Sequence, residues 1–390
     1  MDFTFTEEQQ AATEAAKAVF SGVAPDGVPS PALVPGAVAE DIDRPLWAGL
    51  ASSDLLSLTL SPEHGGAGLD LVALCLVLRE SAKVLARVPL LETCAVAMAL
   101  QRYGNPRLAA ELLPRVGRGE LVLTVGANGR TGHDPAELAV TARRKAAAGI
   151  SAGARADSDG GWVLDGTQSA VPWAQTADWI AIPAHTDEGR AVVALVEPAQ
   201  DGITLAEQVS TSGERFAEVR LESVRVDGHA LIDDAWAWEW LRALLTTGTC
   251  ALALGLGEAV LAMTSQYTGK REQFGFPVAT FQSVAVQTAD RYIDLRAMEV
   301  TLWQAAWRIS TGAAGALPAE GDIAVAKIWA SDGVRRVVQT AQHLHGGFGA
   351  DTDYPLHRFH AWAKQIELSL GPAAAHEEAL GDLLAAHLLG

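Results

Sequence analysis

Apolar residues recur at helical spacing along the first part of the chain. Thr6 and Gln9 have the form of a capping box, and an alanine-rich run that ends at Phe20 follows them as a first helix. The helical period returns from Leu69 to Leu85. Pro89 interrupts the next apolar run, which predicts a helix break and a restart. We therefore expect helices up to about residue 120.

Short runs rich in β-branched residues replace that pattern from about residue 121. Asp159-Gly160 and Asp165-Gly166 are turn signals between these runs, and Phe216 to Leu221 alternates as a half-buried strand does. The predicted order is helices, strands, helices. The expected domains are an N-terminal helical domain over 1–120, a middle β domain over 121–232 and a C-terminal helical bundle domain over 233–390.

Long apolar-periodic helices return from Trp236, with breaks expected at Gly312 to Pro318 and at Gly346 to Pro355. The longest uncharged stretch runs from Ala243 to Gly257 and has only 15 residues. A membrane span needs roughly 20 residues, so we interpret this stretch as a buried helix.

Charge and cysteine content narrow the classes of function. Lysine and arginine total 29 against 47 aspartate and glutamate residues, and the net charge of -18 disfavours nucleic acid and anionic membranes as partners. Cys75, Cys94 and Cys250 are too scattered for a disulfide framework, and no C-x-x-C pair predicts a metal site. The acidic N-terminus lacks the order of a signal peptide, so we expect a cytoplasmic protein.

A segment from Lys270 to Gln282 presents a cation and an aromatic ring together where a long helix ends. The guanidinium of Arg271 suits a pyrophosphate, and the ring of Phe274 suits a flat ligand ring. A surface arginine beside a packed aromatic turn is the alternative for so short a motif.

A second segment, Gly346-Gly347-Phe348-Gly349, follows His345. Its glycines let the backbone approach a ligand closely, and its amides can point at phosphate oxygens. A tight connection between two helices is the alternative. His345 can titrate near neutral pH, or it can pack and hydrogen-bond beside the glycine turn.

Together the two segments resemble the flavin-binding segments of the acyl-CoA dehydrogenase family. Pro62 to Leu69 resembles that family's PE-x-GG-x-G loop, and Trp162 to Gln168 resembles its middle-domain hairpin. The resemblance implies an α+β fold with an N-terminal helical domain, a central β barrel or sandwich and a C-terminal four-helix bundle. By the same resemblance, the residues that hold the adenosine and diphosphate end of a neighbour's FAD include Arg271, Phe274, Gln282, His345, Gly346, Gly347 and Gly349.

The family's chemistry removes a proton and a hydride from adjacent carbons of an acyl-CoA, and it requires a carboxylate base. Family resemblance places that base at Leu370 or, in a second group of members, at Leu245, and neither leucine can accept a proton. Glu367 and Glu258 lie near these positions in the sequence and are weak candidates to replace the base. The electron acceptor of such enzymes is an electron-transfer flavoprotein or a similar protein.

The segments that face the flavin ring in the family are also altered. Ala127 to Asp134 keeps only the final Gly132-x-Asp134 pattern, and Ala170-Val171-Pro172 places a proline where a backbone N–H would be available. Residues 343–371 resemble the subunit without a catalytic glutamate in actinobacterial heterotetrameric acyl-CoA dehydrogenases, many of which act on steroid side chains. We therefore expect a chain that completes an FAD site for a homologous, base-bearing partner. A self-sufficient homo-oligomeric flavoenzyme with a non-standard base and a non-catalytic scaffold remain as alternatives.

Overall fold

The computed structural model describes residues 4–39, 42–131, 137–145 and 161–387. The Gly132-x-Asp134 pattern and the turn signal at Asp159-Gly160 lie outside these residues. In the described part, the order of helices, then strands, then helices is the predicted one.

Five α-helices form the N-terminal part over residues 4–39 and 42–120. The capping box is confirmed, because the Gln9 N–H donates to Thr6 Oγ1 at 3.2 Å and the Thr6 N–H donates to Gln9 Oε1 at 3.0 Å. The break at Pro89 is also confirmed, since this residue caps the fourth helix. The helices are α1 (Glu7–Phe20), α2 (Arg44–Ser52), α3 (Leu71–Ala82), α4 (Leu90–Tyr103) and α5 (Pro106–Gly117).

The described strands of the middle part form one mixed eight-stranded sheet. They are β1 (Leu123–Val125), β2 (Val140–Arg144), β3 (Trp162–Pro172), β4 (Trp179–Thr186), β5 (Ala191–Val196), β6 (Ile203–Val209), β7 (Arg215–Val226) and β8 (Leu231–Ile232). The strand order is β6-β7-β3-β2-β4-β5-β8, with β1 paired to β4. Burial alternates along Phe216 to Leu221 in β7, which confirms the predicted half-buried strand.

The turn predicted at Asp165-Gly166 is wrong, because both residues lie inside β3. The pairing of β3 with β7 shifts register between Leu164 and Gly166, which marks a β-bulge. Gly166 has φ 147°, and a Cβ at this position would lie 2.4 Å from the Ala139 carbonyl oxygen. The glycine that looks like a turn signal is thus required by a bulge and a close backbone approach.

The C-terminal part contains three long helices, two shorter ones and a small hairpin. The helices are α6 (Ala237–Lys270), α7 (Gln282–Thr311), α8 (Ala319–His345), α9 (Leu356–Leu368) and α10 (Ala373–Ala386), and the hairpin strands are β9 (Glu272–Gln273) and β10 (Phe276–Pro277). The α7–α8 and α8–α9 connections fall at the two predicted helix breaks. Helix α8 packs against α6, α7, α9 and α10, and α6 packs against α3, α4, α7, α8 and α9.

Helix α6 confirms the predicted buried helix over Ala243 to Gly257. Among the described residues it is the one helix long and apolar enough, by length and composition alone, to cross a membrane. Within the protein, 78% of the most apolar 18-residue stretch of α6 is buried. The length and composition of α6 therefore suit the core helix that joins the two helical parts. Cys75, Cys94 and Cys250 are free thiols and are buried.

Candidate functional site

A cavity of about 110 Å³ lies where α3, α4, the sheet, α6 and the end of α9 meet. Leu245 of α6 and Leu370, two residues after α9, both line it and are only 3% and 5% exposed. The structure therefore brings together two positions that are far apart in the sequence and that family resemblance offered as alternative places for the base. Most other lining side chains are apolar and include Leu78, Leu85, Leu90, Leu91, Leu252 and Leu256.

Polar backbone groups around Leu370 are bonded within the chain itself. The Leu370 N–H donates to Asn128 Oδ1 at 3.2 Å, and Asn128 Nδ2 donates to the Ala170 carbonyl at 3.2 Å. The His376 Nε2–H donates to the Leu370 carbonyl at 2.8 Å. Burial lowers the pKa of His376 to about 4, so this ring is a neutral donor at physiological pH. Asn128 thus ties two of the altered segments together and bonds the Leu370 N–H and the Ala170 carbonyl within the chain.

Backbone strain is concentrated around this cavity. Seven non-glycine residues of the described chain have positive φ, and four of them line it. These four are Leu85, Ala170, Trp173 and Leu370, with φ of 51°, 50°, 59° and 58°. Left-handed backbone at such residues costs free energy and persists only where the surroundings enforce it, typically at functional sites. The geometry of Leu370 is therefore held in place although its side chain has no acid–base chemistry.

Glu258 and Glu367, the two candidate replacement bases, do not line the cavity. Glu258 accepts from Arg79 Nε at 2.9 Å and lies 3.6 Å from Lys83 Nζ. Glu367 accepts from Lys364 Nζ at 2.6 Å. Both carboxylates are thus engaged in ion pairs outside the cavity, and the geometry gives no support to either as a base.

Two other carboxyl groups, Glu92 and Glu214, do line the cavity, and the sequence analysis missed both. Burial, reinforced by the charge of Glu214, raises the pKa of Glu92 to about 8. Burial also raises the pKa of Glu214 to about 7, against the opposing charge of Arg87. Glu92 is the one charged residue in the apolar run that starts at Leu90, a signal that could have marked it.

The first dinucleotide segment is an exposed hairpin. Strands β9 and β10 pair antiparallel, and Phe274 and Gly275 form the two-residue turn with φ of 55° and 85°. The positive φ at the first position of this turn favours glycine or asparagine. Phe274 nevertheless occupies that position, with 91% of its surface exposed. Arg271 and Gln282 flank the hairpin and are also exposed. No ion pair within the described ranges engages the Arg271 guanidinium.

The second segment follows α8 as a short 3₁₀ helix over Gly346–Ala350. Gly346 has φ 60°, which favours glycine, and both it and Gly347 are exposed. A Cβ at Gly347 would meet no atom of this chain within 4 Å, so packing within the chain does not explain that glycine. Gly349 is buried, and a Cβ there would lie 2.8 Å from Gln342 Nε2.

Tyr267 joins the two segments. It lies one turn before Arg271 on α6, and its ring stacks on His345 at 4.3 Å and on Phe348 at 5.5 Å between ring centroids. His345 is 4% exposed and bonds through Nδ1 to the Ala341 carbonyl at 2.8 Å and through Nε2 to the Tyr354 hydroxyl at 3.1 Å. Burial lowers its pKa. His345 therefore packs beneath the glycine turn and supports it.

Comparisons with known proteins identify the family. The family model for the acyl-CoA dehydrogenase C-terminal domain matches residues 245–384, and that for the N-terminal domain matches residues 6–120. Acyl-CoA dehydrogenase FadE27 of Mycobacterium tuberculosis is 34% identical over 88% of each chain. A chain of the ChsE4-ChsE5 complex of the same organism has a TM-score of 0.86 at 33% identity, over 99% of both chains. A chain of the Tcur3481-Tcur3483 steroid ACAD variant has a TM-score of 0.85 at 35% identity, over 97% of this chain and 98% of that one.

This chain belongs to the acyl-CoA dehydrogenase family, a family of oxidoreductases whose members bind FAD. The expected fold, with helical N- and C-terminal parts around a central sheet, is confirmed by the same similarity.

The two halves of FAD fit this chain differently. An engineered cavity of about 150 Å³ holds a single benzene ring, whereas the cavity beside Leu370 measures about 110 Å³. This space is small and mostly apolar, and it offers few polar groups for the edge of a flavin ring. The exposed guanidinium of Arg271, the ring of Phe274 and the open backbone at Gly346 and Gly347 do suit a diphosphate and an adenine from outside.

Proposed function

We propose that this chain lends the adenosine and diphosphate half of an FAD site to a homologous subunit that carries the base and the flavin-ring pocket. The assembly dehydrogenates an acyl-CoA thioester between its α and β carbons. In this arrangement Arg271 and Phe274 hold the diphosphate and adenine, with Gln282, Gly346 and Gly347 beside them.

One observation carries the proposal, namely the contrast between the inside and the outside of the chain. Inside, both base positions are leucines that face a small apolar cavity. Outside, the dinucleotide segments are exposed, and Phe274 keeps a backbone conformation that nothing within the chain requires of a phenylalanine. Strained, exposed aromatic residues and unexplained glycines are typical of a surface that contacts a ligand or a partner.

The relatives support a partner of the same family. The structures that resemble this chain over nearly its whole length include the ChsE4-ChsE5 complex and the Tcur3481-Tcur3483 steroid ACAD, each named for two polypeptides. We propose that the substrate is a CoA thioester of a steroid or a fatty acid, which the similarity to a steroid ACAD supports. We further propose a cytoplasmic assembly that passes electrons to an electron-transfer flavoprotein or a similar acceptor.

Co-expression tests the proposal. The chain is produced alone and with a homologous subunit that has glutamate at the position of Leu245 or Leu370, and FAD per protein and acyl-CoA dehydrogenation are measured. We expect bound FAD and dehydrogenation activity only in the complex.

A single substitution tests the role of Arg271. Arg271→Ala should weaken FAD binding by the complex about 10- to 100-fold, because one charge-assisted hydrogen bond to the diphosphate is lost. Arg107→Ala, an exposed arginine on α5, is the matched control and should bind FAD normally.

The division of labour is rejected if the chain alone holds a full complement of FAD and turns over substrate. Leu370→Glu separates the same possibilities within one chain. If only the base were missing, this substitution would create activity in the isolated chain. We expect none, because the segments that face the flavin ring in the family are altered as well.

A further inference from the structure

The connection between α1 and α2 lies against one side of the cavity. Its residues 21–39 contain turns but no helix or strand, and we call them the strap. Leu85 and Ala86 line the cavity and also line a second space of about 340 Å³, whose other side includes Val23 and Val28 of the strap. Leu85 and Ala86 therefore lie between the cavity and the strap.

Asp26 fastens the first half of the strap through its backbone and its side chain. Its N–H donates to the Val84 carbonyl at 3.2 Å, and its carbonyl accepts from Arg358 Nη1 at 3.3 Å. Its carboxylate accepts from Arg87 Nη2 and, at 3.2 Å, from Arg87 Nε. Arg87 is only 6% exposed, and its guanidinium lies 5.1 Å from the ring centroid of Trp362, which lines the cavity. The strap is thus joined to a buried cation at the cavity wall.

The second half of the strap is bonded to the turn between β6 and β7. Ser30 Oγ donates to the Thr211 carbonyl at 3.1 Å. The Ala39 N–H donates to the Gly213 carbonyl at 2.8 Å. Glu214 in the same turn lines the cavity. The strap therefore crosses from the segment at 84–87 to the β6–β7 turn, and both of these contribute to the cavity wall.

The strap has the features of a segment that opens without the rest of the chain. Only Ser30 and Ala39 of its residues are buried, and Leu33 and Val34 are 45% and 37% exposed. Segments with few buried apolar contacts open at a lower free energy than the core. Release of the strap would thus leave the helices that surround the cavity folded.

Leu85 connects the strap to the state of the cavity wall. Its φ of 51° lies in the left-handed region, although the residue is a leucine that is only 1% exposed. Such a conformation persists only where the surroundings enforce it, and the strap forms part of those surroundings. Release of the strap would therefore let this part of the wall relax.

We propose that the strap is a lid on this side of the cavity and that the ion pair of Asp26 with Arg87 is its latch. With the latch closed, the strap shields Leu85 and Ala86 and keeps solvent out of the cavity. Opening leaves a largely buried guanidinium without its carboxylate, which is unfavourable and favours the closed lid. Transient release of Asp26 opens the wall at 84–87 to small molecules. This inference concerns access to the chain's own cavity and does not depend on the proposed function.

Thiol labelling tests the lid. Ser81 lines the cavity, is 4% exposed, and accepts the Ala86 N–H at 3.0 Å through its carbonyl, so Ser81→Cys places a thiol beside the wall that the strap covers. The full chain, in the assembly in which it purifies, reacts with iodoacetamide, and peptide mass spectrometry gives the rate at each cysteine. In this background Asp26→Ala should raise the rate at the introduced thiol at least about 10-fold, because a charged hydrogen-bonded pair no longer holds the strap. Cys75 and Cys250, both buried, should keep their rates.

The matched control is Asp201→Ala, which removes an exposed acid between β5 and β6 and should leave the rate at the introduced thiol unchanged. An introduced thiol that reacts equally fast with and without Asp26 overturns the lid. A rise that Cys75 and Cys250 share reports general unfolding and overturns it as well.

The urea dependence of labelling gives a second readout that requires no change in the strap. Local opening exposes little surface, so its free energy depends weakly on urea, whereas that of global unfolding depends strongly on urea. In the Ser81→Cys variant, at urea concentrations below the unfolding transition, the rate at the introduced thiol should therefore change little while the rates at Cys75 and Cys250 rise steeply. Equal slopes for all three thiols would show that the cavity opens only when the chain unfolds, and the lid would be rejected.

Discussion

At the scale of single residues, Lys327 shows how one buried charge can hold two helices together. It lies on α8, is 1% exposed, and donates to Ser331 Oγ at 2.7 Å. It also donates to the carbonyls of Ile366 and Glu367 at 3.3 and 3.0 Å, near the end of α9. Carbonyls at a helix end have no intrahelical partner, so this lysine supplies the cap that α9 needs just before Leu370.

Replacing Lys327 by methionine should therefore destabilise the chain by about 1–3 kcal/mol, because it leaves buried acceptors without a donor. Burial lowers the pKa of Lys327 from 10.5 to about 8, so its contribution to stability should rise between these pH values and disappear in the variant. Denaturant unfolding at pH 8 and pH 10 measures both effects. The control is Lys364→Met, a partly exposed lysine paired with Glu367, which should cost less than about 1 kcal/mol. Equal losses in the two variants would refute the capping role.

At the scale of elements, the bulge in β3 is the feature that sequence reasoning misread. The bulge shifts the pairing of β3 with β7 after Leu164, and a side chain at Gly166 would collide with the Ala139 backbone. Asp165 binds β3 to β7 at the bulge, because its Oδ1 accepts a hydrogen bond from the Ser223 N–H at 2.8 Å. The two residues together fix how β3 bends on its way to Ala170, which lines the cavity.

Gly166→Ala should destabilise the chain by about 1–3 kcal/mol through its positive φ and the close carbonyl oxygen. Gly161→Ala is the matched control, because a Cβ at Gly161 would lie at an ordinary 3.6 Å from the Val226 carbonyl oxygen. Urea unfolding of both variants compares the two costs. If Gly166→Ala is as stable as the control, the bulge tolerates a side chain and our account of this glycine fails.

A comparison of several elements shows which features of the fold a sequence can predict. The capping box at Thr6 and the buried helix α6 depend on neighbours a few residues apart, and pattern reasoning found both. The cavity that Glu92 and Glu214 line and the bulge at Gly166 depend on contacts between distant segments, which no local period encodes. Leu245 and Leu370 could be predicted in part. Family resemblance selected the two positions, but only the fold shows that they line one cavity.

At the scale of the whole molecule, helix α7 carries an apolar stripe that the chain itself leaves uncovered. Val286, Ile293, Val300 and Trp307 follow one another at seven-residue intervals and are 53%, 63%, 52% and 37% exposed. A seven-residue period keeps side chains close to one face of a helix, as in the seam of a helical pair. Helix α10 likewise buries none of its described residues. A neighbouring subunit that packs along α7 is the simplest cover for such a stripe, because exposed apolar surfaces of this length mark association sites.

Placing a charge in the middle of this stripe on α7 should separate the chain from the proposed homologous subunit without unfolding it. We expect Ile293→Lys to abolish co-purification with the homologous subunit and to lower FAD in the preparation, while its unfolding midpoint as an isolated chain stays near the wild-type value. An exposed lysine there costs little in the isolated chain, but burying its charge against an apolar partner surface is strongly unfavourable. Val209→Lys, at a 44% exposed valine on β6, is the control and should assemble normally. Light scattering of the co-expressed proteins reports the mass. An Ile293→Lys variant that assembles as the wild type does would move the interface away from α7.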